Sequence, residues 1–130
     1  MKIILILCPS WGIETPHLGI ALLVANLRRY GYQVEVCDFN IRIHNRDKDK
    51  GLWKSEEDVH WEDEKSISHF INENNTLLDS FVQEILSKDT RVIGFSIYNT
   101  TQRLSLELAK RIKNGKKLAT YLPRSNAANL

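Results

Sequence analysis

Residues 3–40 read IILILCPSWGIETPHLGIALLVANLRRYGYQVEVCDFN, and they indicate the fold class more clearly than any other part of the chain. It opens with Ile3–Leu7, a continuous apolar run rich in β-branched isoleucine, which is typical of a strand covered on both faces. Gln33–Cys37 has the composition of a second buried strand. The segment between them predicts a helix over Pro16–Tyr30, closed by Gly31 as a left-handed residue. Strand, loop, helix and strand in this order predict part of a doubly wound parallel sheet.

The predicted first helix carries two further signals. Thr15 suits the N-cap and Pro16 the first helical position, because proline needs no hydrogen-bonded amide there. The residues from Leu18 to Ala25 leave almost no polar face, whereas an ordinary surface helix shows an apolar stripe. This helix is therefore expected to pack against something beyond its own sheet, and a neighbouring domain is the favoured explanation.

A long charged insertion follows the second strand. Ile41–Glu64 is too long for a structureless loop in a compact domain. Short helical turns held in place by Trp53 and Trp61 are therefore expected. Apolar residues then recur at helical spacing over residues 67–86, with a polar, kinked middle at Asn72–Asn75. This helix is expected to cover the opposite face of the sheet.

The third strand is predicted at Arg91–Phe95, and the helix after it is expected to stop near Asn114-Gly115. Beyond it, Leu118–Leu122 offers one weak strand, whereas a doubly wound domain of this type normally has five strands. We therefore expect residues 1–114 to form one α/β domain whose sheet is incomplete at the C-terminus. Residues 115–130 are expected to be a divergent or truncated tail.

The composition limits the class of function. A chain of 130 residues with 42% hydrophobic content suits one domain with a real core. Its net charge of +2 is nearly neutral, and no concentrated basic face indicates nucleic-acid binding. No apolar run suits a membrane span or signal peptide, so a cytoplasmic location without a membrane partner is expected. Cys8 and Cys37 lack ligand spacing and are expected to be reduced thiols.

The loop over residues 8–17, CPSWGIETPH, is the first candidate site, because it follows the first strand. It lacks the GxGxxG and GxxxxGK[ST] patterns that hold phosphates. Small groups, exposed backbone and the indole of Trp11 suit a broad, flat, partly apolar ligand better than a diphosphate. The alternative is a structural strand-to-helix loop in which Trp11 packs on the helix.

The loop over residues 96–101, SIYNTT, is the second candidate site. Ser96, Asn99, Thr100 and Thr101 bring hydroxyls and an amide to the carboxyl end of the third strand, as binding pockets often do. If the strand order is 2-1-3, this loop lies beside the first. The alternative is that Thr100 or Thr101 merely caps the next helix.

Other chemical signals are weak. The four histidines lack metal-ligand spacing. Asp58-Val59-His60 begins a DxHxxG motif, but Asp63 stands in place of the glycine, so we interpret the match as chance. The acidic run around residues 56–64 is interpreted as a solvated face. Asp38, at the exit of the second strand, could bond a ribose, although the glycine fingerprint of dinucleotide sites is absent.

Three segments together carry a family resemblance. They are PHLGIALLVANLRRYGYQVEVCDFN at 16–40, FINENNTLLDSFVQEIL at 70–86 and VIGFSIYNTTQRLSLELAKRIK at 92–113. In this order, with the Trp-bearing charged insertion at 41–64, the chain resembles the N-terminal cobalamin-binding domain of cobalamin-dependent radical SAM enzymes. The resemblance covers roughly residues 1–114.

The resemblance implies a flavodoxin-like (Rossmann-like) sheet that holds cobalamin face-on without an axial histidine from the protein. It implies that both loops approach the corrin, with Trp11 and Tyr98 offering apolar faces to the ring. Ser96, Asn99 and Thr100 would bond the amide side chains of the corrin. The implied cofactor-binding residues are Pro9, Ser10, Trp11, Pro16, His17, Ser96, Tyr98, Asn99 and Thr100.

The chain also departs from that family. LATYLPRSNAANL at 118–130 stands where a Gly-Gly-Pro-like loop lines the cobalamin pocket. The CxxxCxxC motif is missing, so the iron–sulfur cluster and S-adenosylmethionine would belong only to an absent catalytic domain. We therefore expect a cobalamin-binding module that is non-catalytic in isolation, whose partners are cobalamin and either the missing radical SAM domain or a second copy.

Two alternative functions remain open at the level of sequence. The first is a flavodoxin-like regulatory or protein-interaction domain without a cofactor, which docks through its apolar first helix. The second is a fragment of a nucleotide-binding enzyme, which the missing phosphate loops disfavour.

Overall fold

The sheet consists of strands β1 (Lys2–Leu7), β2 (Gln33–Asp38) and β3 (Val92–Ser96), which pair in parallel in the order β2-β1-β3. The computed structural model describes residues 2–47 and 50–121, with side chains for residues 2–47 and 50–116. Ile3 lies opposite Val34 on one side and opposite Val92 on the other. Because β1 is central, its residues Ile3–Leu7 are buried, as the continuous apolar run predicts.

Helices cover both faces of this sheet. In the described residues they are α1 (Leu18–Arg29), α2 (Phe39–Arg46), α3 (Asp58–Glu62), α4 (Glu64–Glu73), α5 (Asn75–Leu86) and α6 (Gln102–Tyr121). Short 3-10 helices span Lys50–Trp53 and Ser55–Glu57. The predicted α/β class is confirmed, and three parallel strands between two helical layers are compatible with a flavodoxin-like fold.

Within the described residues, α1 is the one helix that packs on its face of the sheet, where Ile20 and Val24 meet Ile3, Leu5 and Leu7. The prediction that Thr15 caps this helix and Pro16 begins it is wrong. The helix begins at Leu18, and the ring nitrogen Nδ1 of His17 caps it by accepting the amide hydrogen of Ile20. The predicted left-handed residue after the helix is confirmed, because Gly31 has a φ of +88°.

The opposite face carries the larger core, built by α2 and the helices that follow it. Its buried residues are Ile4, Ile6, Cys8, Cys37, Phe39, Ile43, Trp53, Trp61, Ile67, Phe70, Leu78, Phe81, Val82, Ile85, Leu104, Leu108 and Ile112. The predicted kink is a break at Asn74, whose side-chain amide donates to the carbonyl of Phe70. As predicted, Trp53 and Trp61 are buried and hold the short helices of the insertion.

Helix α6 is longer than the sequence indicates. The predicted stop near Asn114-Gly115 is wrong, and so is the weak strand at Leu118–Leu122 for residues 118–121, which continue α6. A methyl group at position 115 would lie 2.5 Å from Leu86 Cδ1, so the glycine permits close packing of α6 on α5. Residues 122–130, most of the predicted tail, lie outside the described residues.

Within the described residues, none of the helices combines the length and hydrophobicity that crossing a bilayer requires.

Candidate functional site

The two candidate loops touch each other at the carboxyl ends of β1 and β3. The Thr100 hydroxyl donates to the carbonyl oxygen of Ser10 over 2.7 Å. The ring centroids of Trp11 and Tyr98 lie 4.7 Å apart. These contacts follow from the strand order, because β1 and β3 are neighbours and their loops leave the same edge of the sheet. We call these two loops, residues 8–17 and 96–101, the rim.

The first loop is held from below by Asn40, in the first turn of α2. The Asn40 side chain accepts from the amide of Trp11 and donates to its carbonyl, both at 3.0 Å. The same side-chain oxygen accepts the indole N–H of Trp53 at 2.8 Å. Asn40 is 2% exposed, so these bonds satisfy a polar group that would otherwise be costly to bury.

His17 joins the first loop to the second. Its Nδ1 lies 2.9 Å from the amide nitrogen of Ile20, and its Nε2 lies 3.0 Å from the hydroxyl of Ser96. Because Nδ1 accepts, a neutral His17 carries its proton on Nε2 and donates to Ser96. The imidazole also lies 4.7 Å from the ring of Trp11 and 5.5 Å from that of Tyr98. Neither nitrogen of His17 is left to ligate a metal.

The second loop is closed by Thr101, which is fully buried. Its hydroxyl accepts from the amide of Tyr98 over 2.8 Å and donates to the carbonyl of Ser96 over 3.1 Å. The hydroxyls of Thr100 and Thr101 therefore bond within the rim. Thr101 also stands at the cap position of α6, because it directly precedes Gln102 and its carbonyl accepts the amide of Ser105, so for this residue the two interpretations hold together. Tyr98 remains 40% exposed above this closed turn.

The rim brings together most, but not all, of the residues implied by the resemblance. Those that meet there are Ser10, Trp11, His17, Ser96, Tyr98 and Thr100. Pro9 is buried and Pro16 is exposed beside α1. Asn99 is exposed and lines a separate depression with Gln102 and Arg103. An open groove of about 290 Å³ descends from Tyr98 between α1 and β3.

Sequence reasoning missed Asn40, His17 as a cap and the loop-closing role of Thr101. The sequence signal for Asn40 is an amide side chain between the apolar residues Phe39 and Ile41, two positions after a buried strand. Asp38 was a candidate ribose ligand, but its carboxylate accepts the amide of Ile41 and caps α2.

The rim is almost without charge. Within residues 8–17 and 96–101, Glu14 is the sole Asp, Glu, Lys or Arg. Burial raises the pKa of the Cys8 thiol to about 12, so this cysteine stays protonated beneath the loop. Among the described residues, no group of three His, Cys, Asp or Glu side chains could hold a metal ion. The rim therefore offers aromatic rings and uncharged hydrogen-bonding groups, with Glu14 as its one acidic side chain.

Comparisons with protein-family models, with curated proteins and with solved structures found no match for this chain.

Proposed function

We propose that the chain is a cobalamin-binding module of a radical SAM enzyme and is non-catalytic in isolation. The observation that supports this proposal is the joined rim, in which Trp11 and Tyr98 lie ring to ring at the carboxyl ends of neighbouring parallel strands. Ligands of doubly wound sheets bind at this edge.

The side chains of the rim fit a corrin in four respects. The exposed ring of Tyr98 offers an apolar face, and the exposed amide of Asn99 offers both a donor and an acceptor. The indole N–H of Trp11 is buried without a partner in the described residues, and the carbonyl of a corrin amide is an acceptor of the kind it lacks. The near absence of charge matches the uncharged amide groups of the corrin edge.

In this proposal, Tyr98 and Trp11 hold the ring. The hydroxyls of Ser96 and Thr100 use the hydrogen-bonding capacity left by His17 and Ser10 to bond its amides, and Asn99 binds a further amide from the neighbouring depression. Both nitrogens of His17 are engaged within the protein, which agrees with binding that uses no axial histidine. A bound cobalamin supplies the methyl or radical chemistry of the holoenzyme. The chain itself has only two cysteines, so a four-iron cluster and S-adenosylmethionine would require a separate catalytic domain.

Hydroxocobalamin tests this proposal directly. The purified chain is mixed with the cofactor, excess is removed by gel filtration, and the visible spectrum of the protein peak is recorded. We expect a retained corrin band, and we expect Tyr98→Ala to weaken binding about tenfold because an aromatic face is lost. Tyr32→Ala is the matched control, since Tyr32 is 39% exposed, compared with 40% for Tyr98, and lies before β2.

A retained band that Tyr98→Ala and Tyr32→Ala reduce equally would place the cofactor elsewhere on the molecule. Absence of any retained band from the folded wild-type chain would reject the proposal.

A second candidate function is supported by the outer face of α1. Leu18, Leu22 and Leu23 are exposed on it, although an isolated domain normally turns such residues inward. This observation favours a regulatory or protein-interaction domain that docks through α1 and needs no cofactor.

Self-association provides the test for the second candidate. We expect Leu22→Glu to abolish any concentration-dependent association seen in sedimentation velocity, because a charge then enters the apolar contact. Leu106→Glu is the control, since both leucines are 58% exposed and Leu106 lies on α6. A chain that is monomeric at every concentration would contradict self-docking through α1.

A further inference from the structure

The outer edge of β3 carries unpaired backbone groups. Strand β3 is at the end of the described sheet and pairs only with β1 there. At one end of β3, the hydroxyl of Thr90 donates to the carbonyl of Val92 and accepts its amide hydrogen. At the other end, the hydroxyl of Thr101 donates to the carbonyl of Ser96. Within the described residues, the backbone of Ile93–Phe95 makes no hydrogen bond beyond the ladder with β1. Such an edge is a template for another extended segment.

Open grooves flank this edge on both faces of the sheet. On the α6 side, Ile93, Phe95, Ala109 and Ile112 line a groove of about 440 Å³. On the α1 side, the missing side chain of Gly94 opens the groove below Tyr98 down to Leu5. An added strand would therefore place alternate side chains in two mainly apolar grooves.

The groove on the α6 side is basic at its border. Arg91, Lys113 and Lys116 line it, and none of its lining residues in the described part of the chain is acidic. Neither Arg91 nor Lys113 forms an ion pair with a described residue. By contrast, the other edge of the sheet is partly covered, because the guanidinium of Arg28 donates to the carbonyl of Val34 on β2.

We propose that the edge of β3 binds an extended segment of a partner chain, with consecutive apolar residues flanked by Asp or Glu. Backbone hydrogen bonds to Ile93–Phe95 provide the affinity, as in β-strand addition. The apolar side chains fill the two grooves, and the acidic residues pair with Arg91 and Lys113. This proposal does not rest on cobalamin binding.

Charge complementarity favours this occupant over two others. In a second copy, β3 (Val92–Ser96) has no carboxylate side chain. The carboxylates of β2 are already bonded, Glu35 to Lys2 and Lys88 and Asp38 to the amide of Ile41. The sequence of residues 122–130, LPRSNAANL, contains an arginine and no Asp or Glu side chain. An acidic, apolar segment from another protein supplies what both lack.

Two octapeptides of opposite charge test the proposal on the ¹⁵N-labelled chain. One carries four consecutive Val or Ile residues between glutamates, and the other carries the same core between lysines. We expect the acidic peptide to shift the amide resonances of Ile93–Phe95 and the basic peptide to bind at least about fivefold more weakly. We also expect Lys113→Glu to weaken the acidic peptide about fivefold.

Lys110→Glu is the matched control, because Lys110 is exposed on the same helix but does not line the groove. It should leave the affinity unchanged, and Arg91→Gln is the second test variant if Lys113→Glu fails to fold. Three results would overturn the proposal: equal binding of both peptides, amide shifts confined to α1, or a dimer that protects β3 from hydrogen exchange without peptide.

Discussion

Asn40 is the residue on which the position of the first candidate loop depends. Its one side chain satisfies the amide and carbonyl of Trp11 and the indole of Trp53. Because the ring of Trp11 lies against that of Tyr98 at a tilt of 32°, Asn40 also sets the geometry of the proposed binding surface indirectly.

Removing this side chain should destabilise the protein and loosen the loop. We expect Asn40→Ala to lower the free energy of unfolding by about 2–4 kcal/mol, because buried donors and an acceptor lose their partner. Urea unfolding followed by tryptophan fluorescence measures the change. Asn45→Ala is the control, since Asn45 is exposed on the same helix, and an equal loss in both variants would contradict this role of Asn40.

The two cysteines should be unreactive in the folded protein. Burial is the largest cause that raises the pKa of both Cys8 and Cys37, and the thiolate is the reactive form. We expect neither to react with a disulfide reagent at about pH 8 within minutes, and both to react in denaturant. Rapid labelling of the native chain would show that the loop above Cys8 opens readily.

At the scale of secondary structure, helix boundaries show how local signals compete with packing. Thr15-Pro16 is a plausible local start for α1, but the imidazole of His17 caps the helix and bonds Ser96 on another strand. Asn114-Gly115 is a plausible local end for α6, but packing on Leu86 favours continued helix there. In both cases a tertiary contact overrides local propensity.

A small ion-pair cluster joins β1, β2 and the segment after α5. Glu35 pairs with Lys88, and its other oxygen lies 2.9 Å from Lys2 Nζ. The hydrogen bonds from Lys88 and then Lys2 lower the pKa of Glu35. A lowered carboxyl pKa adds stability above the ordinary glutamate range, and this stability is lost as pH falls through the lowered value.

We therefore expect Glu35→Gln to cost less than about 1 kcal/mol near neutral pH, because the cluster is partly exposed. The difference from wild type should vanish towards about pH 3, where both side chains are neutral. Urea unfolding from about pH 7 to about pH 3 measures it, with exposed Glu56→Gln as control. A difference that persists at low pH would show that packing, not charge, is responsible.

At the scale of the whole molecule, the sheet separates two cores of unequal size. In the described residues, seventeen buried side chains form the core on the side of α2–α6, and six form the core beneath α1. The core beneath α1 therefore buries fewer side chains and should contribute less to stability. The exposed leucines of α1 and the open grooves on both sides of that helix agree with this.

This asymmetry predicts the order of local opening. We expect native-state hydrogen exchange to show lower opening free energies for the amides of α1 than for those of α5 and α6, because fewer buried contacts hold α1. Bound hydroxocobalamin should slow exchange in the rim if the proposed function is right. Exchange of α1 as slow as that of α6 would contradict the inequality of the cores.

Patterns along the chain were enough to predict the three strands, the broken helix over residues 67–86 and the helical turns held by Trp53 and Trp61. These features depend on hydrophobic period, β-branched content and local turn chemistry, which are properties of contiguous residues. The sequence also indicated both loops of the rim, because parallel strands direct their carboxyl ends to one edge.

The contacts that close the rim could be seen only in the folded protein. The bonds of Asn40 to Trp11 span 29 positions of the chain, that of His17 to Ser96 spans 79, and that of Thr100 to Ser10 spans 90. No local pattern specifies such partners, because each hydrogen bond depends on where the packed sheet places two distant segments. The length of α6 and the basic border beside β3 could not be predicted from the sequence either, because both depend on how distant segments pack.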